Sequence, residues 1–166
     1  MTEWESSALS ASHDLSAFDC GVSALNNWLT EHAHRAQVSG TAMTYVWTRP
    51  HGSRVVAYYA ITPHQVTREE VSGPLAGGVS VIPAYLLARL ALDQSLRGQG
   101  LGGELLHDAL SRIVSAAIIA SGRLVVVDAI DDQAAAFYQH YNFRPVRNNP
   151  LRLVMKISTL QKALGS

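Results

Sequence analysis

Four glycines occupy six consecutive positions between Gly98 and Gly103, and a leucine-patterned stretch follows them directly. Glycine loses more conformational entropy on folding than any other residue, so this density needs a physical reason. A tight turn alone requires only one or two glycines, for their positive φ angles. A backbone that approaches a phosphate closely requires more, because its N–H groups must reach the anion without intervening side chains. The spacing therefore predicts a phosphate-binding loop at the start of a helix.

Two kinds of phosphate-binding loop fit the pattern. Gly-x-Gly-x-x-Gly with Asp128 at the end of a later strand is the fingerprint of a dinucleotide-binding fold. Three features disfavour it: residues 93–97 separate the loop from its strand, the upstream chain has a hairpin pattern, and fewer than 40 residues follow Asp128. The alternative is a pyrophosphate cradle that combines successive N–H groups with the dipole of the following helix. Its residues are Arg97, Gly98, Gln99, Gly100, Leu101, Gly102 and Gly103.

The periodicity around the loop predicts an α+β fold with a mixed sheet. Apolar residues recur at helical spacing from Leu101 to Ala117, so a long amphipathic helix is expected, with Gly122 as its cap. A helix with Asp131 or Asp132 as N-cap is expected over DDQAAAFYQHY, and another over DCGVSALNNWLTEHAHRA. Strands are expected at AMTYVWTRP, SRVVAYYAITPH, VSVIPAYLLARLALD, RLVVVDA and LRLVMKI. The chain of 166 residues suits one domain over residues 1–166.

Composition narrows the class of protein. The chain is 48% hydrophobic and 16% charged, which is typical of a globular domain. It has no apolar run of the roughly 18 residues that a membrane span needs, and its acidic N-terminus does not resemble a signal peptide. Cys20 is the single cysteine, which we interpret as structural and which suits a reducing cytoplasm. The histidines lack ligand spacing, so no metal site is predicted.

Charge is distributed unevenly although the net charge is zero. Residues 1–34 contain five acidic side chains and no lysine or arginine, whereas the chain from Phe143 onward contains only basic ones. Such a basic end favours an anionic partner, and a solvated surface explains it equally well. The cations that we expect to contact an anionic substrate are Arg35, Arg89, Arg144, Arg147 and Arg152. Arg89 lies mid-strand, where its side chain either extends outward or enters an acceptor groove.

The loop resembles that of the GNAT superfamily of acetyl-CoA-dependent N-acetyltransferases, whose pattern is Gln/Arg-x-x-Gly-x-Gly/Ala. The passage AAAFYQHYNF also resembles that family, and the resemblance covers about residues 40–157. It implies a single GNAT domain, a twisted mixed sheet flanked by helices, with acetyl-CoA between the strand ending at Asp93 and residues 124–128. It implies that Tyr138 donates a proton to the departing CoA sulfur. The main chain of Leu90, Ala91 and Leu92 would then hold the pantetheine arm.

A narrower resemblance extends over nearly the whole chain. FDCGVSALNNWL, SGTAMTYVW and DDQAAAFYQHYNFRPV are similar to the GNAT toxins of bacterial toxin–antitoxin modules. This resemblance implies acetylation of the α-amino group of aminoacyl-tRNA, a block of translation, and action in the cytoplasm. It also implies a ribbon-helix-helix antitoxin as partner and a homodimer. A GNAT enzyme acting on a small-molecule amine or a protein N-terminus remains an alternative, as does a binding module without catalysis.

The side chains next to the expected coenzyme site agree with an acceptor of low basicity. Residues 81–92 contain no carboxylate to act as a general base. A lysine amine, with a pKa of about 10.4, would need one, whereas an α-amine titrates near about 8 and an esterified one lower still. Tyr138 is also compatible with a plain core tyrosine. Tyr141 and Tyr85 are the same residue type outside the motif and serve as comparisons.

Overall fold

Seven strands and six helices make up the computed structural model, which describes residues 3–165. The strands are β1 (Glu5–Ala8), β2 (Met43–Thr48), β3 (Ala57–Thr67), β4 (Val81–Leu92), β5 (Leu124–Asp128), β6 (Arg144–Val146) and β7 (Asn149–Lys156). The helices are α1 (Ser23–Glu31), α2 (Ala33–Ser39), α3 (Gly73–Ala76), α4 (Leu101–Ala120), α5 (Asp132–His140) and α6 (Ile157–Gly165). No helix within residues 3–165 has the length and apolar character to cross a membrane.

The strands form one mixed sheet in the order β1-β2-β3-β4-β5-β7-β6. β4 and β5 pair in parallel from Ala84↔Leu124 to Leu87↔Val127. The pairs β1–β2, β2–β3, β5–β7 and β6–β7 are antiparallel. The α+β class and the mixed sheet are thus confirmed, and the arrangement is not the doubly wound parallel sheet of a dinucleotide-binding fold.

Several predicted boundaries differ from the observed ones. The single helix expected over DCGVSALNNWLTEHAHRA is two helices, because the backbone breaks at His32 (φ −125°, ψ −27°) between α1 and α2. β1, before them, and α6, after the strand expected to close the fold, were not predicted. The helix predicted from Leu101 is confirmed as α4. The two residues after it, Ser121 (φ +64°) and Gly122 (φ +134°), both have positive φ angles.

The chain falls into two compact units. The first contains the residues up to Thr62 together with Ala88–Ala109, and its core includes Leu29, Tyr58 and Ala91. The second contains Pro63–Leu87 and the residues from Leu110 onward, and its core is built around Ile82 and Val126. β3, β4 and α4 each contribute residues to both units.

Candidate functional site

The glycine loop joins the end of β4 to the start of α4 in the first unit. A 3₁₀ turn over Gln94–Leu96 follows the strand, and Gly98 (φ +78°) and Gly100 (φ +73°) then take left-handed backbone conformations. A Cβ placed on either glycine would meet no heavy atom within 4 Å. Backbone conformation, and not crowding, therefore requires these two glycines, and the space beside them is open to a ligand.

The first turn of α4 follows the glycine loop directly and has free amides. The helix begins at Leu101, so the N–H groups of its first four residues lack intrahelical acceptors. The helix runs for 20 residues, and its buried Leu105 and Leu106 anchor it in the core. Free amides and the positive end of the dipole at a helix N-terminus are the features that bind phosphates in other proteins, and the phosphate-binding role of this loop stays a prediction.

Arg97 is held against the turn that precedes α1. Its guanidinium donates a hydrogen bond to the carbonyl oxygen of Cys20. The left-handed backbone of Gly21 (φ +86°) favours glycine, and a Cβ there would lie 2.9 Å from Gln94 Nε2 and 3.0 Å from Arg97 Nη2, so these two side chains would have to shift. Arg97 thus connects the loop to the N-terminal segment, and its contact with a coenzyme phosphate stays a prediction.

Asp93 anchors the loop and was not singled out from the sequence. Its side chain is buried; Oδ1 accepts a hydrogen bond from Asp19 N (2.9 Å), and Oδ2 accepts from Ser95 N (3.1 Å) and Ser95 Oγ (2.6 Å). Burial raises the pKa of this carboxyl, but the hydrogen bonds from Ser95 and Asp19 outweigh burial and leave the pKa below its ordinary value. The Asp-x-Ser spacing directly before the glycines was the available signal.

Asp19 fixes the other side of this junction. Its Oδ1 accepts hydrogen bonds from Gly21 N (2.9 Å) and Asn26 Nδ2 (3.0 Å), and its carbonyl oxygen accepts from Gln94 N (2.9 Å). The turn at residues 19–21 is therefore joined to both α1 and the loop. Cys20 within it is buried, and burial raises the pKa of its thiol, which agrees with the structural interpretation of this cysteine.

The last residues of β4 alternate between the two faces of the sheet. Ala91 is buried in the core of the first unit, whereas Leu90 and Leu92 are half-buried. The strand carries no carboxylate along its length. The coenzyme role of these three residues stays a prediction.

Arg89 lies against α1, two residues before Ala91 on the same face of the strand. Its guanidinium carbon is 4.1 Å from the centre of the Trp28 ring, and the side chain is half-buried. Trp28 stacks on Tyr58 at a centroid distance of 6.1 Å and packs against the core, as expected for a helix residue facing inward. The Tyr58 hydroxyl donates to Leu25 O (2.8 Å), which fixes the ring.

Tyr138 lies in the second unit on α5, whose N-cap is Asp131. The tyrosine is 8% exposed, with Phe137 and Phe143 packed edge-on at centroid distances of 5.3 and 5.6 Å. Burial raises the pKa of Tyr138 to about 12, so its hydroxyl remains a proton donor at neutral pH.

The two comparison tyrosines have different environments. The hydroxyl of Tyr85 donates to Ser121 O at 2.7 Å, and Tyr141 is 37% exposed. The Tyr138 hydroxyl, in contrast, forms no hydrogen bond with a residue in the described range 3–165. Tyr138 is therefore the one of these three tyrosines that combines burial with an uncommitted hydroxyl.

The predicted substrate cations fall into two groups. Arg35 on α2, Arg144 on β6 and Arg147 are exposed. Arg152 on β7 is committed to an ion pair: its Nε and Nη2 donate to the two oxygens of Asp128 at 2.7 and 2.9 Å. Its remaining nitrogen, Nη1, lies 3.5 Å from Glu70. The charge of Arg152 is thus matched by two carboxylates, unlike the charges of the exposed arginines.

Comparison with known proteins gives consistent matches. The model of the acetyltransferase (GNAT) domain matches residues 42–145. The chain is 32% identical over 158 residues to a tRNA-acetylating toxin of Mycobacterium tuberculosis, covering 95% of this chain and 94% of the relative. The structure of AtaT complexed with acetyl-methionyl-tRNAfMet has a TM-score of 0.89 at 28% identity, covering 97% and 99% of the two chains.

A second solved structure adds the coenzyme and a protein partner. It is a Tyr-to-Phe mutant of the toxin AtaT, bound to the C-terminus of the antitoxin AtaR and to acetyl-CoA. Its TM-score is 0.87 at 28% identity, and the match covers 99% of this chain and all of the other. In residues 3–165 of the present chain, no group of three or more histidine, cysteine, aspartate or glutamate side chains is arranged to hold a metal ion.

Proposed function

The chain belongs to the GNAT acetyltransferases and, within them, to the tRNA-acetylating toxins, and we propose that it acetylates the α-amino group of aminoacyl-tRNA. The acetyl group comes from acetyl-CoA, which AtaT binds in a structure of the same fold. An acetylated α-amine can no longer attack an ester, so the modified tRNA cannot accept a growing peptide. The protein is therefore a toxin that blocks translation.

In this proposal the glycine loop binds the pyrophosphate of the coenzyme. The left-handed glycines leave open space, and the free amides of α4 supply donors to phosphate oxygens. The main chain of Leu90, Ala91 and Leu92 leads into the loop and holds the pantetheine arm. One of its N–H groups polarises the thioester carbonyl.

Tyr138 is the general acid of the transfer. The amine nitrogen forms a bond to the thioester carbon, the carbon–sulfur bond breaks, and the departing thiolate takes the phenolic proton. The proton released by the acetylated nitrogen, carried by water, then restores the phenol. Its raised pKa of about 12 keeps the phenol protonated, and its hydroxyl is committed to no other residue in the described part of the chain. This environment is the single observation that carries the catalytic assignment.

The acceptor amine loses its own proton without a side-chain base. No carboxylate lies on β4, and the α-amine of an amino-acid ester titrates below about 8, so it is largely neutral at cytoplasmic pH. Water accepts the remaining proton. The exposed Arg35, Arg144 and Arg147 contact tRNA phosphates. The guanidinium of Arg152 is instead held in its ion pair with Asp128.

The partners follow from the same relatives. AtaT is bound to the C-terminus of its antitoxin AtaR, and we propose a ribbon-helix-helix antitoxin for this chain and a homodimeric toxin acting in the cytoplasm. We also propose that residues 1–166 act as one domain, since β3, β4 and α4 each extend through both compact units.

Incubation of the protein with acetyl-CoA and a pool of charged tRNA, followed by mass spectrometry of the aminoacyl ends, tests this function. We expect acetyl-aminoacyl-tRNA from the wild type and a rate about 10²- to 10⁴-fold lower from Tyr138→Phe. Tyr141→Phe, which changes an exposed tyrosine of the same helix end, is the matched control and keeps the rate. Acetylation of free amines or protein N-termini without any product on tRNA would contradict the proposal.

A further inference from the structure

The guanidinium of Arg89 carries a charge that no carboxylate within residues 3–165 compensates. Arg89 is half-buried, and burial lowers its pKa, with only the neighbouring Tyr58 acting in the opposite direction. The ion pairs of the described residues do not include it. A half-buried charge without a counterion is costly, so such a residue usually serves a ligand.

Aromatic residues lie against the guanidinium of Arg89. Its central carbon is 4.1 Å from the centre of the Trp28 ring, and Trp28 in turn stacks on the buried Tyr58 at an interplanar angle of 11°. Stacking leaves the N–H groups at the edge of the guanidinium free to bind in its plane. A planar fork of donors with no counterion matches an anion with two oxygens, such as a phosphodiester or a carboxylate.

The position of Arg89 along β4 places its guanidinium N–H donors close to the proposed site of acetyl transfer. Leu90 is the residue of the proposed pantetheine path that lies farthest from the phosphate loop, and it directly follows Arg89 along the strand, at a rise of roughly 3.3 Å per residue. In aminoacyl-tRNA only the terminal ribose separates the amino-acid ester from the last phosphodiester. When the α-amine of such an acceptor reaches the thioester, the phosphodiester nearest to the ester therefore lies close to this part of β4.

We propose that Arg89, supported by Trp28, binds the phosphodiester next to the terminal nucleotide of the tRNA acceptor end. This inference rests on the proposed function and specifies which part of the substrate the residue reads. The contact selects acceptors that carry a polynucleotide and discriminates against free amino-acid esters. The proposed ligand of Arg89 is thus a phosphodiester, whereas the sequence alone did not specify what this residue binds.

A comparison of two acceptors isolates this contact. The first is the aminoacyl-tRNA identified by mass spectrometry, and the second is the same amino acid esterified to adenosine, which has no phosphodiester. We expect Arg89→Gln to lower kcat/KM for the aminoacyl-tRNA about 10- to 100-fold and to leave kcat/KM for the adenosine ester unchanged. The slope of log Kd for tRNA against log salt should also fall by about 0.7, the value for one lost single-strand phosphate contact.

Arg49 provides a matched control. It is exposed, and its guanidinium lies 4.9 Å above the ring of Trp4, so Arg49→Gln also removes one charge and one arginine–tryptophan contact. This variant should keep wild-type kinetics with both acceptors. Arg89→Lys keeps the charge but not the planar fork, and it should recover part of the loss.

The outcomes separate the inference from the proposed function. A wild type that modifies aminoacyl-tRNA while Arg89→Gln loses activity equally with both acceptors would assign Arg89 to the ester or amine and overturn the inference. A weaker affinity of Arg89→Gln for acetyl-CoA would assign it to the coenzyme and overturn it as well. A wild type without any activity on aminoacyl-tRNA would refute the proposed function itself.

Discussion

Replacement of Asp93 by asparagine tests whether a buried carboxylate holds the coenzyme loop in shape. Asparagine keeps the size of the side chain but has one acceptor oxygen and an NH₂ group where aspartate has two acceptors. In either orientation the NH₂ group faces a backbone donor, Ser95 N in one and Asp19 N in the other. One partly buried N–H group therefore loses its partner, and the remaining hydrogen bonds lose the assistance of the charge.

The magnitude follows from these contacts. A buried donor without a partner costs about 1–3 kcal/mol, and hydrogen bonds to a charged group are worth about 1.5–3 kcal/mol against about 1 kcal/mol for neutral ones. Removal of the charge also relieves repulsion with the neighbouring Asp19, whose pKa is lowered by hydrogen bonds from Gly21 and Asn26 while the charge of Asp93 acts in the opposite direction. We therefore expect Asp93→Asn to lower the free energy of unfolding by about 2–3 kcal/mol at pH 7.

Urea unfolding measures the stability of the variant, and calorimetry measures its affinity for acetyl-CoA. Asp14→Asn is the matched control, because Asp14 accepts from Ser16 N (3.0 Å) and Ser16 Oγ (2.6 Å) in the same i, i+2 arrangement but is exposed. We expect the control to change neither quantity appreciably. An Asp93→Asn protein as stable as the wild type, with the same affinity for acetyl-CoA, would refute the role of Asp93.

The same variant has a defined pH dependence. The pKa of Asp93 is lowered in the folded protein, so its carboxylate stabilises the fold above the unfolded pKa of about 3.9. This contribution disappears as the pH falls through the folded pKa. The difference in unfolding free energy between wild type and Asp93→Asn should therefore be constant near neutrality and shrink below about pH 4.

Three further substitutions test other parts of the structure. Gly100→Asp places a carboxylate and a strained residue (φ +73°) in the open space beside the loop, so it should abolish acetyl-CoA binding in calorimetry; wild-type affinity would refute the loop assignment. Gly122→Ala puts a Cβ 2.4 Å from Tyr85 Cε2 at φ +134°, and denaturant unfolding should show a loss of about 1–3 kcal/mol. Arg152→Gln leaves Asp128 unpaired and should cost about 1 kcal/mol at low salt, less at high salt, because the pair is partly exposed.

Local patterns predicted the elements that build the loop. The apolar spacing from Leu101 onward located α4, because the residues of that stripe face the core at intervals of three and four. The apolar stretch before Asp93 located β4, and the paired aspartates at 131 and 132 located the start of α5. These predictions succeeded because each depends on neighbours within one or two turns of the chain.

Contacts between distant residues could not be predicted in the same way. Asp19 and Asp93 are joined by a hydrogen bond across 74 positions, and no spacing in the sequence indicates that pairing. The position of Arg89 also depends on α1, whose Trp28 comes 61 positions earlier (89 − 28). The break at His32 depends on backbone geometry at one residue, to which periodicity is insensitive because the apolar spacing is nearly maintained across it.

The acid–base properties of the acceptor amine and of the departing thiolate explain why the proposed reaction needs so few titratable residues. A strong base beside the thioester would also activate lysine amines, whose pKa of about 10.4 keeps them protonated otherwise. In the proposed reaction, with no carboxylate on β4 and with Tyr138 held protonated, we expect amines that are already neutral to react. The α-amine of an amino-acid ester meets that condition, and the phosphodiester contact that we propose for Arg89 would then distinguish tRNA from smaller esters. We therefore propose that selectivity arises from the absence of a carboxylate on β4 and from the half-buried guanidinium of Arg89, which forms no ion pair within residues 3–165.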